Sequence, residues 1–436
     1  MYHTQDISAC LSSEPGGVGQ AELDAALDGT RGALRQIRDW HSDGTLPLLR
    51  LPEKRDDLEP CRAAAETFMR GARDIILFGT GGSSLGAQSL AQLAGWQLEG
   101  PPPSGDAPRF HVFDNLDPNT MERLLRNLDL KTARFLVVSK SGNTPETIIQ
   151  MICVLDALKA EGLDWNIEHH FLAISEPGSG DANALRRLCS MHGIPVLDHD
   201  PAIGGRFSVL SNVGTLPAIM FGLDPVALRI GAHDPLAAIL EGVEPVKCAP
   251  ALGAAVQFAL MRHAGIGTCV VMPYCDRLRL FSKWFVQLWS ESLGKGGAGL
   301  TALVATGPVD QHSQLQLFLD GPADKVYTII TTGIAGSGPR VAAAYAKDPL
   351  VGYLAGRSIG DLVDCQQRAT IEALVQCRRP VRVIHIDALD ERSLGALKMH
   401  FMLETIIMGH LLGVDPFDQP AVERGKVLTR DYLSTM

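Results

Sequence analysis

The sequence predicts an α/β fold: two doubly wound parallel-sheet domains, each a three-layer αβα sandwich, followed by a C-terminal helical arm. Short apolar runs rich in β-branched and aromatic residues alternate along the chain with amphipathic stretches of helical period. Such runs indicate strands that are buried on both faces, as in a parallel sheet covered by helices. The runs form two sets that break near the turn at residues 222–225, so each set can build one domain.

Each predicted element follows from this alternation. The predicted strands are 74–78, 110–113, 135–138, 170–174 and 194–197 in the first set, and 268–272, 300–304, 326–331 and 381–386 in the second. The predicted helices include 145–160, 251–262, 281–293, 359–375 and a longer one at 391–412. Pro420 suits the first position of a further helix, because proline lacks the N–H that would be unpaired there.

These elements divide the chain into four predicted parts. Residues 1–54 form an N-terminal helical extension that packs on the second domain, although residues 1–20 carry no strong pattern and are expected to be loosely ordered. Residues 55–224 form the first domain and residues 225–412 the second. Residues 413–436 form the C-terminal arm, which packs on the sheet domains or on a partner.

Composition and charge narrow the range of functions. A formal net charge of −10 disfavours nucleic acid or an anionic membrane as a partner, although backbone N–H groups at a helix start can still bind a small anion. The N-terminus lacks a basic segment followed by an apolar core, and the longest nearly apolar run, 213–223, is too short to span a membrane. Nine scattered cysteines without a C-x-x-C pair indicate reduced thiols. We therefore expect a cytoplasmic protein that acts on a small molecule.

The first candidate site is a glycine-rich loop, FGTGGSSLG at residues 78–86, directly after a predicted strand. Gly81 and Gly82 let the backbone approach an anion, and Ser83 offers a hydroxyl at a helix start. Ser84 stands where a dinucleotide-binding fingerprint needs its third glycine, which argues against that fingerprint. Taken alone, the loop is explained equally well as an ordinary strand-to-helix turn.

The second candidate site is the loop VSKSGNTPET at residues 138–147, which also follows a predicted strand. It is rich in side chains that donate hydrogen bonds, namely Ser139, Lys140, Ser141, Asn143, Thr144 and Thr147. A phosphate monoester favours such donors at a helix start, where the helix dipole adds positive charge. One side chain is enough to cap a helix, so this many donors favour a ligand over capping alone.

Four further segments carry a family resemblance. They read AIGGRFSVLS at 202–211, QLWSESLGK at 287–295, DQHSQLQ at 310–316 and GHLLGVDPFDQPAVERGK at 409–426. The two loops resemble those of sugar-isomerase (SIS) phosphate-binding domains, and the further segments resemble the glucose-6-phosphate isomerase family in the family's order. The resemblance covers about residues 75–430 and implies two SIS-type domains.

The resemblance implies an aldose–ketose isomerase of glycolysis and gluconeogenesis that interconverts glucose 6-phosphate and fructose 6-phosphate by ring opening and an enediol, without a metal or cofactor. It also implies a homodimer with a shared active site, in which a catalytic histidine often reaches the neighbouring subunit. The residues implied for phosphate are Gly82, Ser83, Ser139, Lys140, Ser141 and Thr144, those for the sugar hydroxyls Gln287 and Gln419, and those for ring opening His312 and Lys426.

Glu291 is the candidate base, because moving a hydrogen between C1 and C2 needs a group that takes a proton from carbon and returns it. It follows Gln287 by four residues, hence lies on the same helix face, and apolar residues surround it in sequence. Without the motif, a surface glutamate paired with Lys295 explains the pattern as well. Arg206 follows two glycines and is the candidate cation beside the enediolate; the alternative is a structural arginine tied to a carboxylate.

The sequence also departs from the family pattern. Leu293 stands where asparagine is common, and the segment after Ser83 lacks the usual acidic residue and proline. These departures concern selectivity, so a bifunctional phosphoglucose/phosphomannose isomerase is an alternative function. A non-catalytic SIS sugar-phosphate sensor is another, although it could do without Glu291, Arg206 and His312, which are all present. An NAD-dependent dehydrogenase is a third alternative, which the missing third glycine at Ser84 weakens.

Overall fold

The computed structural model describes residues 2–12, 16–96, 98, 107–178 and 182–436. The strands are β1 Thr4–Asp6, β2 Asp74–Phe78, β3 Arg109–Phe113, β4 Ala133–Val138, β5 Phe171–Ser175, β6 Val196–Asp198, β7 Thr268–Pro273, β8 Thr301–Val304, β9 Lys325–Thr332 and β10 Val381–Ile386. The helices are α1 Gln20–Asp43, α2 Leu58–Met69, α3 Leu85–Leu93, α4 Pro118–Asn127, α5 Pro145–Ala160, α6 Ile167–His170, α7 Ala184–Met191, α8 Asn212–Met220, α9 Pro225–Leu240, α10 Ala249–His263, α11 Arg279–Leu293, α12 Leu315–Asp320, α13 Ile359–Gln376, α14 Glu391–Leu412 and α15 Glu423–Ser434.

The first sheet has the strand order β3-β2-β4-β5-β6, and all its pairs are parallel. β2 is buried at every position because its sequence, DIILF, is apolar after Asp74 and helices cover both faces of the sheet. The two candidate loops follow β2 and β4. Since these strands are adjacent and parallel, both loops lie at the same edge of the sheet, side by side.

The second sheet has the order β1-β10-β9-β7-β8 and is parallel except for β1, which runs antiparallel to β10. The expectation that residues 1–20 are loosely ordered is therefore wrong for β1. A buried polar network holds this short strand: Arg382 donates to Gln5 Oε1 (2.8 Å) and pairs with Glu404, and both charged side chains are fully buried. A strand of three polar residues has no apolar pattern by which it could be predicted.

The α/β fold class is confirmed, and each predicted strand is present with ends that differ by at most two residues. His312 does not lie at the start of a helix. The chain instead forms a 3-10 turn at Val309–Gln311, His312 ends that turn, and α12 begins only at Leu315.

The two sheet units meet at the first candidate loop. α1 packs on α10 and α14, which cover the second sheet, while α3 of the first unit packs directly on α11 of the second. The described structure thus brings the loop before α3 close to α11. The predicted boundaries at residues 54, 224 and 412 stay a prediction.

The C-terminal arm begins where α14 ends at Gly413, which has a φ of 70° in the left-handed region that glycine favours. Residues 413–419, here called the C-terminal loop, lead to a 3-10 turn that starts at Pro420 and then to α15. Every residue of α15 is exposed. Within the described ranges, no helix combines the length and apolar character that crossing a bilayer requires.

Candidate active site

Helix α11 carries two polar side chains on one face. Gln287 and Glu291 are four residues apart, and Gln287 Nε2 donates to Glu291 Oε1 at 3.1 Å. The apolar side chains of the same helix, Trp284, Phe285, Leu288 and Trp289, are buried in the core. These side chains fix the helix, so the two polar groups are held in a defined position at the meeting of the two sheet units.

Arg206 is the centre of the site. It lies in the 3-10 turn Gly205–Leu210, and its side chain is buried. Its guanidinium donates five hydrogen bonds, to Ser292 Oγ (2.8 Å), Glu291 Oε2 (3.3 Å), Gln419 Oε1 (2.8 Å), Pro416 O (2.7 Å) and Asp418 O (3.0 Å). Burial lowers the pKa of Arg206, while the carboxylates of Glu291 and Asp418 act in the opposite direction. The arginine therefore joins α11 to the C-terminal loop.

The Glu291 carboxylate is held but accessible. It receives hydrogen bonds from Arg206 and Gln287, and 35% of its side chain is exposed. Its apolar sequence neighbours Trp284, Phe285, Leu288 and Trp289 are buried in the core, but they do not enclose the carboxylate, which stays partly exposed. The alternative of a pair with Lys295 is not found either, since Lys295 pairs with Asp418 (2.7 Å).

Two glycines let the first candidate loop approach this group. Gly81 has a φ of 58°, and a Cβ there would lie 2.6 Å from Gln287 Nε2. A Cβ on Gly82 would lie 2.3 Å from the backbone of Gly205, directly before Arg206. Any larger residue would push the loop away from α11 and from the arginine turn. The half-buried Ser83 hydroxyl makes no side-chain hydrogen bond among the described residues.

The hydroxyl groups of the second candidate loop do not cap the helix that follows it, α5. Thr144 is the N-cap residue of α5, but its side chain makes no capping hydrogen bond; its hydroxyl instead pairs with that of buried Ser139 at 2.9 Å. Pro145 occupies the first turn of α5, where the N–H that proline lacks needs no partner. Ser141 is exposed, and its Oγ accepts from the Asn143 N–H at 3.3 Å. Capping therefore does not account for Ser139 and Thr144, which favours the ligand interpretation.

Lys140 connects the second loop to the segment before Arg206. Its Nζ donates to Pro201 O at 2.7 Å. Burial lowers the pKa of Lys140, nearby Glu176 and Asp200 oppose this, and Arg206 lowers it further. Lys140 and Arg206 thus lie close enough for their positive charges to repel each other.

His312 and Lys426 do not contact Arg206 or Glu291 within the described part of the chain. His312 is exposed beyond β8, and Lys426 is exposed on α15, where its Nζ pairs with Glu423 (2.6 Å). Neither makes a hydrogen bond or ion pair to Arg206 or Glu291 in the described part of the chain. Their roles in ring opening stay a prediction.

Sequence reasoning missed the contacts by which Ser292 and Lys295 hold the site together. Ser292 accepts from Arg206, and Lys295 binds the C-terminal loop through Asp418 and the carbonyl group of Asp415. Both lie in the quoted segment QLWSESLGK, so the motif pointed to the region. Their partners lie more than a hundred residues further on or some ninety residues earlier in the chain, which local patterns do not reveal.

Sequence and structure comparisons relate this chain to known proteins. Residues 63–436 match the family described as phosphoglucose isomerase. A glucose-6-phosphate isomerase from Rubrobacter xylanophilus is 37% identical over 384 residues, which is 88% of either chain. The crystal structure of a hypothetical protein from Thermus thermophilus has 31% identity and a TM-score of 0.84 over 99% of both chains. A glucose-6-phosphate isomerase from Chlamydia trachomatis, with 20% identity over all of this chain and 89% of its own, has the same fold at a TM-score of 0.80.

Proposed function

The chain belongs to the phosphoglucose isomerase family, and from that premise we propose how its residues interconvert glucose 6-phosphate and fructose 6-phosphate. The observation that carries the proposal is the Glu291 carboxylate, held between Arg206 and Gln287 beside the glycine-rich loop and open to a ligand. A coupled assay of fructose 6-phosphate conversion on the purified protein tests the function directly. Steady turnover is expected, and a protein that binds the sugar phosphate without turnover would instead be a sensor.

The phosphate group binds where the two loops meet. Ser83, Ser139, Ser141 and Thr144 supply hydroxyls, Gly82 supplies a backbone N–H, and Lys140 supplies a charge. The side-by-side placement of the loops and the missing capping bond of Thr144 support this assignment. The starts of α3 and α5 add the positive ends of their dipoles.

Thr144→Ala is expected to raise the KM for fructose 6-phosphate about tenfold, because one hydrogen bond to a charged group is lost. The expected change in kcat is small, since the phosphate is remote from C1 and C2. Thr67→Ala, which changes an exposed threonine on α2, is the matched control. A loss confined to kcat would reject Thr144 as a phosphate anchor.

Proton transfer falls to Glu291. The carboxylate takes the proton from C2 of the open-chain aldose and leaves a cis-enediolate with its charge on O1. The proton of the O2 hydroxyl passes to O1, and Glu291 returns its proton to C1 as the C2 carbonyl forms. The enediolate oxygens lie toward the Nη1 edge of Arg206, which now contacts Glu291 and Gln419. A fixed cation at that edge stabilises the negative charge as it develops. Gln287 and Gln419 hold the sugar hydroxyls.

Ring opening by His312 and Lys426 requires a second subunit or a movement of the arm. A homodimer with a shared active site would supply the second subunit. Two exposed regions of the chain support such a dimer. α15 carries Tyr432 (67% exposed) and Leu433 (64% exposed), and the segment between β9 and α13 carries Leu350 (82%) and Tyr353 (74%). Grouped exposed apolar side chains are typical of protein interfaces. We therefore place His312 in the neighbouring subunit's site.

Hybrid dimers test this placement. Co-refolding inactive Glu291→Gln with inactive His312→Ala is expected to restore about a quarter of wild-type activity, because half of the dimers are mixed and each contains one intact shared site. Mixing Glu291→Gln with Arg206→Met is the matched control, since both residues belong to the same subunit's part of the site and no intact site forms. A monomeric protein, or mixed dimers that stay inactive with His312→Ala, would reject the shared site.

We also place the enzyme in the cytoplasm. All nine cysteines are free thiols, and five of them are buried. Unpaired cysteines in this number fit a reducing compartment.

A further inference from the structure

We propose that Lys295 is a positioning residue for the isomerisation, holding the C-terminal loop so that Arg206 and Gln419 stay in place beside Glu291. The proposal rests on the proposed function, because it assigns Lys295 a task that matters only if Arg206 stabilises a reacting substrate. Lys295 itself does not touch the carboxylate of Glu291, and its action passes through the loop.

Lys295 is surrounded by acceptors from two parts of the chain. It follows Gly294, the residue that ends α11, and its side chain is only 15% exposed. Its Nζ donates to Ser292 O at 3.0 Å, binds the Asp418 carboxylate at 2.7 Å, and contacts Asp415 O. One ammonium with three N–H donors thus ties the end of the catalytic helix to the C-terminal loop.

The same loop supplies three of the five partners of Arg206. Arg206 Nη2 donates to Pro416 O (2.7 Å) and Asp418 O (3.0 Å), and Nη1 donates to Gln419 Oε1 (2.8 Å). Lys295 and Arg206 therefore bind neighbouring residues of the C-terminal loop. If the Lys295 contacts are lost, the carbonyl groups that orient the guanidinium are free to shift.

Charge gives Lys295 a second effect on Arg206. The carboxylates of Asp415 and Asp418 both act on Arg206 and, with Glu291, raise the pKa that burial lowers. These two carboxylates compete with Glu291 and with an enediolate for the arginine's charge. Because Lys295 neutralises Asp418 directly, it leaves more of the Arg206 field for the substrate.

An apolar contact holds the other side of the loop. Phe417 packs between Trp40 of α1, at a ring-centroid distance of 5.9 Å, and Phe207, at 5.4 Å. This contact limits how far the loop can move without Lys295. We therefore expect Lys295 variants to fold normally and to have a loop displaced on an ångström scale.

The test is the kinetics of Lys295→Met, which keeps the length of the side chain and removes its charge. We expect kcat to fall about tenfold to a hundredfold, the loss that a misplacement near 1 Å causes. The KM for fructose 6-phosphate should stay within about threefold, because the phosphate loops are untouched. Lys295→Arg, which keeps a cation for Asp418, should retain most of kcat. The matched control is Lys283→Met, which removes an exposed lysine from the same helix and should not change either constant.

A double-mutant cycle with Asp418→Asn identifies the route of the effect. Lys295→Met should cost much less in the Asp418→Asn background than in the wild type, because the two residues act as a pair. Fully multiplicative losses would overturn the proposal, as would a folded Lys295→Met protein whose kcat stays within about twofold of wild type. Activity that falls only in proportion to the unfolded fraction, followed by circular dichroism, would assign Lys295 a purely structural role. If the wild type itself shows no turnover, the proposed function fails and this proposal falls with it.

Discussion

Glu291→Gln is expected to lose nearly all turnover and to keep its affinity for the sugar phosphate. An amide of the same shape cannot accept a proton from carbon, whereas its carbonyl oxygen can still receive the hydrogen bond from Gln287 Nε2. General-base catalysis contributes about 10²–10⁴ in rate, so we expect kcat to fall by about 10³ or more. The measurement is the coupled assay for kcat, together with calorimetric titration of fructose 6-phosphate into the variant.

One control variant and two contrary outcomes make this prediction decisive. Glu241→Gln, at an exposed glutamate that ends α9, should behave as the wild type. A Glu291→Gln protein that turns over at the wild-type rate would reject Glu291 as the base. Loss of both turnover and binding would show that Glu291 acts mainly in holding the substrate or the site.

Arg206→Met is expected to give the second largest loss of activity and also a loss of stability. Removing one donor that stabilises developing negative charge costs about 10²–10³ in kcat, or ~3–4 kcal/mol. The buried acceptors Ser292 Oγ and Pro416 O, and the partly buried carbonyl group of Asp418, are then left without the Arg206 donor. Unpaired buried groups cost ~1–3 kcal/mol each, so the midpoint of thermal unfolding should also fall.

The conservative variant separates charge from geometry at this position. Arg206→Lys keeps a cation but offers three donors on a point charge where the arginine makes five bonds, so we expect little recovery of kcat. Arg35→Met, at an exposed arginine on α1, is the matched control for the lost charge. An Arg206→Met protein that retains kcat within about tenfold of the wild type would exclude Arg206 as the stabilising cation.

The sheets could be predicted because their strands are nearly pure apolar runs. β2, β4 and β7 are buried along almost their whole length, and burial on both faces favours a nearly continuous apolar sequence. β1 escaped prediction because its stability comes from Arg382 and Glu404, nearly four hundred residues away. A strand held by long-range polar contacts leaves no local periodicity.

The candidate site was predictable in its parts and less so in its assembly. The motifs identified Arg206, Glu291 and Gln419, and the structure brings these three into direct contact. The motifs could not predict which side chains contact each other. Lys295 pairs with Asp418 rather than with Glu291, and the apolar neighbours of Glu291 are buried in the core. These facts depend on how α11 is rotated against the C-terminal loop. The sequence also cannot say which subunit supplies His312, because that depends on an interface outside one chain.

Isotope exchange during turnover tests the proton transfer by Glu291 most directly. With the wild type in deuterium oxide, we expect deuterium at C2 of glucose 6-phosphate and at C1 of fructose 6-phosphate, because the proton held by the partly exposed Glu291 can exchange with solvent. Glu291→Gln should introduce none over the same period. If the wild type brings the two sugars to equilibrium over many turnovers with no deuterium in either, the hydrogen moves directly between the carbons and the proposed role of Glu291 is contradicted.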